Sequence, residues 1–298
     1  MNKLWPLLFC AIIVISTLLH YKNFSKDLVG IHVWRQTQTQ STINSFYKED
    51  LNILHPRKND RGNGNGIFRM EFPLEQWLVA CTYKIFGQSI LITRIWMFII
   101  GLFSVLGMYR MLFAIFKNEF IAASGAWAFN FSPAFFYYTI NPLPDNLALA
   151  FSIWGMYFFF KWCYKKETVL LLLSSLLLSA GALCKLPFIL YFIVPFGYFL
   201  NARRYDNPGK NILKNFLASF AFVVLPLCWY AIVISGWTGN GIVQGVLDNK
   251  ASLSTILDYF LHNAISTLPE LLLNYGSLLF FLAAFYFIVK HKAFKDKR

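Results

Sequence analysis

The chain has 298 residues, of which 57% are hydrophobic, 19% aromatic and only 14% charged, and its net charge is +13. Soluble domains are usually about half apolar and about a quarter charged. These charges are too few to cover a water-facing surface, so the composition excludes a soluble enzyme, a nucleic-acid-binding protein and a disordered chain. It predicts one membrane domain over residues 1–298, with no sizeable soluble domain beside it.

Eight apolar runs have lengths and compositions typical of membrane-crossing helices, which need about 20 apolar residues. The expected fold class is therefore an all-α polytopic membrane protein. No small-residue cleavage pattern follows the first run, so it is interpreted as a retained span rather than a secretory signal. The predicted spans are Leu4–Leu19, Ile90–Phe116, Phe120–Ile140, Leu147–Tyr164, Val169–Cys184, Leu186–Leu200, Phe216–Ser235 and Leu271–Val289.

The distribution of basic residues predicts the orientation of these spans. With the N-terminus in the cytoplasm, the inner segments hold 15 of the 27 Lys and Arg residues but only 4 of the 14 Asp and Glu residues. This bias satisfies the positive-inside rule and places both termini inside. The positive charge is thus a topology signal and not a nucleic-acid patch. Two long segments, residues 20–89 and 236–270, then face outward.

The first outer segment contains an amphipathic run, residues 72–86, that is too short and too polar to cross a membrane. With Pro73 in its first turn, it predicts a helix lying at the outer interface. We find no internal repeat, which argues against an inverted-repeat transporter.

Two acids lie at predicted outer edges of the membrane, where charged groups are costly and often functional. Glu71 precedes the interfacial helix, and Asp145 lies in a two-proline turn before the fourth span. Each has a structural alternative. Glu71 fits a charge that is stabilised at a helix N-terminus, and Asp145 fits the N-cap of the fourth span.

Arg94 and Lys185 also lie at predicted outer ends of spans, where the positive-inside rule does not explain them. Snorkelling toward lipid headgroups is one interpretation. A binding site for a lipid-linked phosphate is the other, since Arg and Lys pair strongly with phosphate. Arg35 belongs to a stretch, residues 32–39, that mixes Trp, Arg and amide side chains. His262 is a lone histidine in the last outer segment and a candidate metal or substrate ligand.

No nucleotide-binding motif occurs in a supporting context, and the glycine-rich stretch at residues 62–66 is not followed by Lys-Ser or Lys-Thr. An enzyme acting on the outer face would also lack nucleotide sugars. A donor attached to a membrane lipid would supply activated sugar there.

The order of these features resembles the type C glycosyltransferases that use polyprenyl-phosphate sugars, among them the family 39 protein mannosyltransferases and the aminoarabinose transferases. The residues that carry the resemblance are His-Val-Trp-Arg-Gln-Thr (32–37), Glu-Phe-Pro-Leu-Glu-Gln-Trp-Leu-Val-Ala (71–80), Arg94, and Ser132-Pro133 with Pro144-Asp145. It covers about residues 1–200.

The resemblance implies an inverting transfer, at the outer face of a bacterial inner membrane, from a polyprenyl-phosphate sugar to a lipid, glycan or protein acceptor. Glu71 and Asp145 match the catalytic acids, and Arg35, Arg94 and Lys185 match the cations on the donor phosphate. Some members use a divalent metal, for which Glu71, Asp145 and His262 are the candidate ligands.

Two departures keep other functions open. Relatives with the Trp-Arg-Gln-Thr pattern commonly carry Asp where this chain has Gln38, and an amide cannot act as a base. The chain is also short for the family. A degenerate or non-catalytic homologue is therefore one alternative, and a lipid or sugar transporter or flippase is another.

Overall fold

A computed structural model describes residues 4–59, 64–205, 212–236 and 252–267, together with residues 282 and 286. The described residues are predominantly helical, and the only β pairing among them is an isolated antiparallel bridge between Arg57 and Ile67. The predicted all-α class is confirmed. The chain divides into two units, residues 1–130 with 138–238, and residues 131–137 with 239–298.

The helices of the described residues are numbered in chain order. They are α1 (Leu4–His20), α2 (Val33–Lys48), α3 (Leu74–Phe86), α4 (Ile90–Phe116), α5 (Glu119–Asn130), α6 (Pro133–Tyr138), α7 (Pro144–Lys165), α8 (Thr168–Cys184), α9 (Ile193–Tyr205), α10 (Ile212–Phe220), α11 (Val224–Ser235) and α12 (Leu253–His262). A 3₁₀ helix, Leu186–Phe192, joins α8 to α9.

Three helices in the described part of the chain are long and apolar enough to cross a membrane, namely Trp5–Asn23, Ile90–Phe116 and Pro144–Lys165. Helices α10 and α11 qualify as a fourth span if they count as one helix with a 40° bend. Thr168–Cys184 and Leu186–Asn201 are shorter apolar helices. A multi-pass membrane protein is thus confirmed, although fewer long helices occur than the eight predicted runs. The eighth run lies almost entirely outside the described residues.

The third predicted span, residues 120–140, is not one helix. Helix α5 ends at Asn130 and α6 begins at Pro133. Proline has no backbone N–H and its ring clashes with the preceding turn, so a helix cannot run through it unbroken. The apolar composition predicted the position of this segment but not the break in it.

Close approach between α7 and α8 fixes the centre of the first unit. A Cβ atom added at Gly155 would lie 2.8 Å from the Leu178 side chain, and one added at Gly181 would lie 2.8 Å from Ser152 Oγ. The two helices are antiparallel, so the start of α7 and the end of α8 meet at the same end of the pair. This arrangement places Asp145 beside Lys185.

Two helices of the first outer segment, α2 and α3, pack on each other. Ile43 and Phe46 of α2 are buried together with Val79 and Tyr83 of α3. Gln40 Nε2 donates a hydrogen bond of 3.0 Å to the Tyr83 hydroxyl. The sequence predicted α3, with its start within two residues of the observed one, but did not predict α2. This pairing positions the chain that leads into α3.

In the second unit, α12 is followed by a π-helical turn, Asn263–Thr267. Ser252 caps α12, accepting a hydrogen bond of 3.2 Å from the Thr255 backbone N–H at its Oγ. These residues belong to the segment that the sequence predicts as the last outer loop, whose boundaries stay a prediction.

Candidate active site

The chain before α3 holds Glu71 against the end of α8. The Phe72 backbone N–H donates to the Leu183 carbonyl at 3.0 Å. Trp229 of α11 donates its indole N–H to the Met70 carbonyl at 3.1 Å, and its ring packs edge-on against Phe72 with centroids 5.1 Å apart. Hydrogen bonds to the backbone on both sides of Glu71 therefore fix its position independently of the contacts of its own side chain.

The Glu71 carboxylate binds two cations from different parts of the chain. Its Oε1 accepts a hydrogen bond from Arg35 Nη2 of α2 and another, of 3.1 Å, from Lys185 Nζ. Burial alone would raise the pKa of this carboxyl, but the charges of Arg35 and Lys185 outweigh it and hold the pKa below its ordinary value. Glu71 is thus ionised and paired at neutral pH.

Lys185 extends the pair to the second predicted acid. It caps the C-terminus of α8, and its Nζ lies 3.5 Å from Asp145 Oδ2 in the first turn of α7. The residue before α7 is Leu143, so Asp145 is not the N-cap that the structural alternative required. Its side chain is 45% exposed, against 14% for Glu71. We call Arg35, Glu71, Asp145 and Lys185 the charged cluster.

Arg94 makes a different set of contacts. It is 3% exposed. Its Nε and Nη2 donate to the carbonyls of Lys26 and Asp27 at 3.2 and 3.0 Å, and its Nη1 donates to Ile140 O at 3.2 Å and to Asn141 Oδ1 at 2.7 Å. These bonds join the chain after α1 to the turn before α7. The structure thus gives Arg94 a structural role, and its prediction as a phosphate ligand stays a prediction.

The predicted metal ligands do not form a recognisable site in the part of the chain that the structure describes. No group of three or more His, Cys, Asp or Glu side chains there is placed to hold an ion. His262 is an exposed residue of α12, in the second unit. Between Glu71 and Asp145, the Lys185 ammonium occupies the position that a bridging cation would take. This arrangement does not fit a metal, and we derive no step through one.

Helix α2 was missed because it is polar, and the apolar periodicity that identifies helices is weak in it. Its buried residues include Gln36, Thr39 and Ser45 beside the apolar Ile43 and Phe46. Gln38 of this helix is exposed and accepts a hydrogen bond of 3.2 Å from Arg35 Nη1. The available signal was the absence of Pro and Gly from residues 33–48.

His32 and Tyr138 form a pair that the sequence did not predict. The Tyr138 hydroxyl and His32 Nδ1 are 2.7 Å apart, and the two rings stack with centroids separated by 5.8 Å. His32 is the N-cap of α2 and has a left-handed backbone, with φ at 55°. A non-glycine residue in this region is uncommon, and such residues are enriched at functional sites.

Glu75, one turn into α3, differs sharply from Glu71. It is 1% exposed, and neither carboxyl oxygen has a hydrogen-bond partner among the described residues. Burial raises its pKa well above the ordinary value; the Leu147 backbone N–H opposes this rise, and the charge of Asp145 adds a smaller increase. Glu75 is therefore a much weaker acid than Glu71. The sequence showed it only as one polar residue of an amphipathic helix.

A comparison with known families matches residues 71–230 to the family described as dolichyl-phosphate-mannose-protein mannosyltransferase. The match covers more than half of the chain. The chain belongs to this family. It is accordingly a membrane glycosyltransferase of type C, which confirms the resemblance found in the sequence. The matched range contains Glu71, Asp145 and Lys185 and begins after Arg35. Comparisons with curated proteins and with solved structures gave no match.

Proposed function

We propose that this protein transfers a sugar from a polyprenyl-phosphate donor to a hydroxyl group of a lipid, glycan or protein acceptor, with inversion at the anomeric carbon. The observation that carries the proposal is the position of Glu71. One carboxylate holds an Arg and a Lys side by side, and the two reach it from α2 and from the end of α8. Family membership supports the same reaction class.

The two cations suit the leaving group of such a transfer. When the bond between the anomeric carbon and the phosphate oxygen breaks, negative charge develops on the phosphate. Cations already in place stabilise that charge without reorganising during the reaction. Arg35 presents a planar fork and Lys185 a point charge, and both pair strongly with phosphate. In this proposal Glu71 organises the cations, and the more exposed Asp145 is the acid that we assign to the acceptor.

The experiment is donor consumption by the purified protein in lipid nanodiscs. Polyprenyl-phosphate mannose is the first donor, because mannose is the sugar in the family description, and other polyprenyl-phosphate hexoses follow. Release of polyprenyl phosphate, with a product of inverted configuration, is the expected result. A donor that stays intact across the series, or a product of retained configuration, would contradict the proposal.

We also propose that the charged cluster faces the outside of a bacterial inner membrane, with both termini in the cytoplasm. Two single-cysteine variants test this orientation with a membrane-impermeant thiol reagent. In intact cells we expect labelling of Asn59→Cys, in the first outer segment, and none of Lys165→Cys, on the predicted inner side. The reverse pattern would place the cluster on the cytoplasmic face.

One observation favours a second candidate, a homologue that binds the donor without turning it over. Gln38 stands where similar proteins carry an acid, and in this structure it is an exposed partner of Arg35. The donor assay separates the two candidates, because a non-catalytic homologue would bind polyprenyl phosphate but leave the donor intact.

A further inference from the structure

The proposed reaction needs a group that takes the proton of the acceptor hydroxyl, and the acids of the site are poorly suited to that task. Glu71 is bound by two cations that lower its pKa, which weakens it as a base. Glu75 is 1% exposed, so its carboxyl is closed to an acceptor. Asp145 is half exposed but lies 3.5 Å from the Lys185 ammonium. Gln38 is an amide.

A closed series of contacts joins the His32–Tyr138 pair to both ends of the charged cluster. On one side, the Arg35 backbone N–H donates to the His32 carbonyl at 2.9 Å. On the other side, Asn146, which follows Asp145, donates its Nδ2–H to the Tyr138 carbonyl at 3.1 Å. The cluster itself connects Arg35 to Asp145. The imidazole is therefore attached to the same frame as the two cations.

The pair also has the arrangement expected of a positioned base. Imidazole is the side chain that most often transfers protons in enzymes near neutral pH. A hydrogen bond at one ring nitrogen selects the tautomer, and a partner that accepts from Nδ1–H leaves Nε2 as a base. Here Nδ1 is engaged by Tyr138, while the side chain is exposed. The ring of His32, whose backbone is left-handed, stacks on that of Tyr138.

We propose that His32 is the general base of the transfer and that Tyr138 is the residue that orients it. This inference rests on the proposed function. In the step, the acceptor oxygen bonds to the anomeric carbon and its proton passes to His32 Nε2. The bond from the anomeric carbon to the phosphate oxygen breaks, and its electron pair leaves with polyprenyl phosphate, next to Arg35 and Lys185. The step requires the tautomer in which Nδ1 carries the hydrogen and the Tyr138 oxygen accepts it.

The test uses His32→Asn, because asparagine tolerates a left-handed backbone and the variant should therefore fold. Donor consumption is measured with polyprenyl-phosphate mannose and the related hexose donors, with water as the acceptor when no other is present. We expect the turnover number to fall by about 10²–10⁴-fold, while the affinity for polyprenyl phosphate stays within about twofold, which keeps a proton-transfer defect apart from lost donor binding. Tyr138→Phe should lose less, about 3–10-fold, because the base remains and only its orientation is lost.

The pH–rate profile separates a base from a merely structural residue. In the parent protein, the rate should fall as the pH drops through the range in which imidazole takes up a proton. That fall should disappear in His32→Asn and persist in Asp145→Asn. The remaining charged groups of the frame are Arg35, Glu71 and Lys185. In His32→Gly, which also tolerates the backbone, added imidazole should restore part of the rate.

His55→Gln is the matched control, because His55 is another histidine of the first outer segment and pairs with Asp50 at 2.9 Å. Its turnover should match that of the parent. The inference is overturned if His32→Asn keeps its turnover within about fivefold, or keeps the fall in rate at low pH. If the parent itself consumes no donor, the proposed function fails and the inference falls with it. If the parent consumes donor and His32→Asn consumes it equally well, the inference is contradicted and the proposed function still stands.

Discussion

Lys185 and Arg94 are both cations at predicted outer ends of apolar helices, yet their surroundings differ. Lys185 is 24% exposed and contacts two carboxylates, at 3.1 and 3.5 Å. Arg94 is 3% exposed and donates to three main-chain carbonyls and one side-chain amide oxygen. Sequence position alone gave the two residues the same two interpretations, phosphate binding or snorkelling.

From this comparison we expect the type of acceptor and the access of solvent to separate a cation that can bind phosphate from a structural one. A carboxylate can share a cation with an incoming phosphate, because the cation keeps a donor and some exposed surface. An arginine that joins two chain segments through their carbonyls cannot move without leaving those carbonyls unsatisfied, which is costly when they are buried. The predictions below test this difference, from the largest expected effect to the smallest.

Replacing Arg94 should affect folding most. Arg94→Met leaves three carbonyls and the Asn141 amide oxygen without these donors, and should lower the free energy of unfolding by at least about 3 kcal/mol. Thermal and denaturant unfolding of the detergent-purified protein measure this loss of stability. Arg94→Lys should recover part of the loss, because it keeps the charge but not the planar fork. A fully stable Arg94→Met would show that the contacts around Arg94 are not what holds the two segments together.

Among the variants of the charged cluster that still fold, Glu71→Gln should reduce activity most. Without the carboxylate, Arg35 and Lys185 repel each other, and a displacement of about 1 Å in a reacting group can cost about 100-fold. We expect turnover to fall by about that factor, with a loss of about 1–3 kcal/mol in stability.

The pH dependence of Glu71→Gln provides a second measurement. The pKa of Glu71 is lowered in the folded state, so its contribution to stability is present above the ordinary glutamate pKa and is lost as the pH falls through the folded value. The unfolding temperatures of parent and variant should therefore converge in acid. Equal turnover in the two proteins would show that Glu71 does not organise the cations for the reaction.

Lys185→Met should separate binding from folding. Asp145 is half exposed and Glu71 keeps Arg35, so we expect a change in stability of about 1 kcal/mol or less. Affinity for polyprenyl phosphate should fall about tenfold, which corresponds to about 1.4 kcal/mol. Equilibrium binding to the protein in nanodiscs measures it, with Lys166→Met on the predicted inner side as the control. If affinity is unchanged, Lys185 has only a structural role.

Glu75→Gln should have the smallest effect, and a stabilising one. The pKa of Glu75 is raised in the folded state. Its contribution to stability is therefore complete below the ordinary glutamate pKa and declines as the pH rises toward the folded value. The amide has nearly the same shape and does not ionise. The unfolding temperature of the variant should thus exceed that of the parent by a margin that grows as the pH rises above the ordinary glutamate pKa. A margin independent of pH would mean that the pKa of Glu75 is not raised in the folded state.

The sequence predicted those parts of the fold that depend on long apolar runs. Helices α1, α4, α7 and α8 begin and end within a few residues of the predicted spans. It failed where local chemistry interrupts such a run, as at Pro133, and where a helix buries polar side chains, as α2 does. A polar helix is stabilised by its partner, here α3, and hydropathy carries no information about partners.

For the site, the sequence identified Arg35, Glu71, Asp145 and Lys185 separately, and the structure brings them together. Their shared position on the predicted outer side was readable from charge. The bond from Lys185 to Glu71 could not be predicted from the sequence, because it depends on the antiparallel pairing of α7 and α8. The contrast between Glu71 and Glu75 was also hidden, since two acids four positions apart differ only in what surrounds them.

The bond between Lys185 and Glu71 spans 114 positions of the chain, which has a consequence for biosynthesis. At about 5–20 residues per second, the ribosome needs roughly 6–23 s to add Lys185 after Glu71. During that interval Glu71 has Arg35 as its only partner from the cluster, and the cluster is complete only when the end of α8 arrives on the same side of the membrane. A nascent chain in which α8 is inserted the wrong way round would carry every residue of the site and still lack the site.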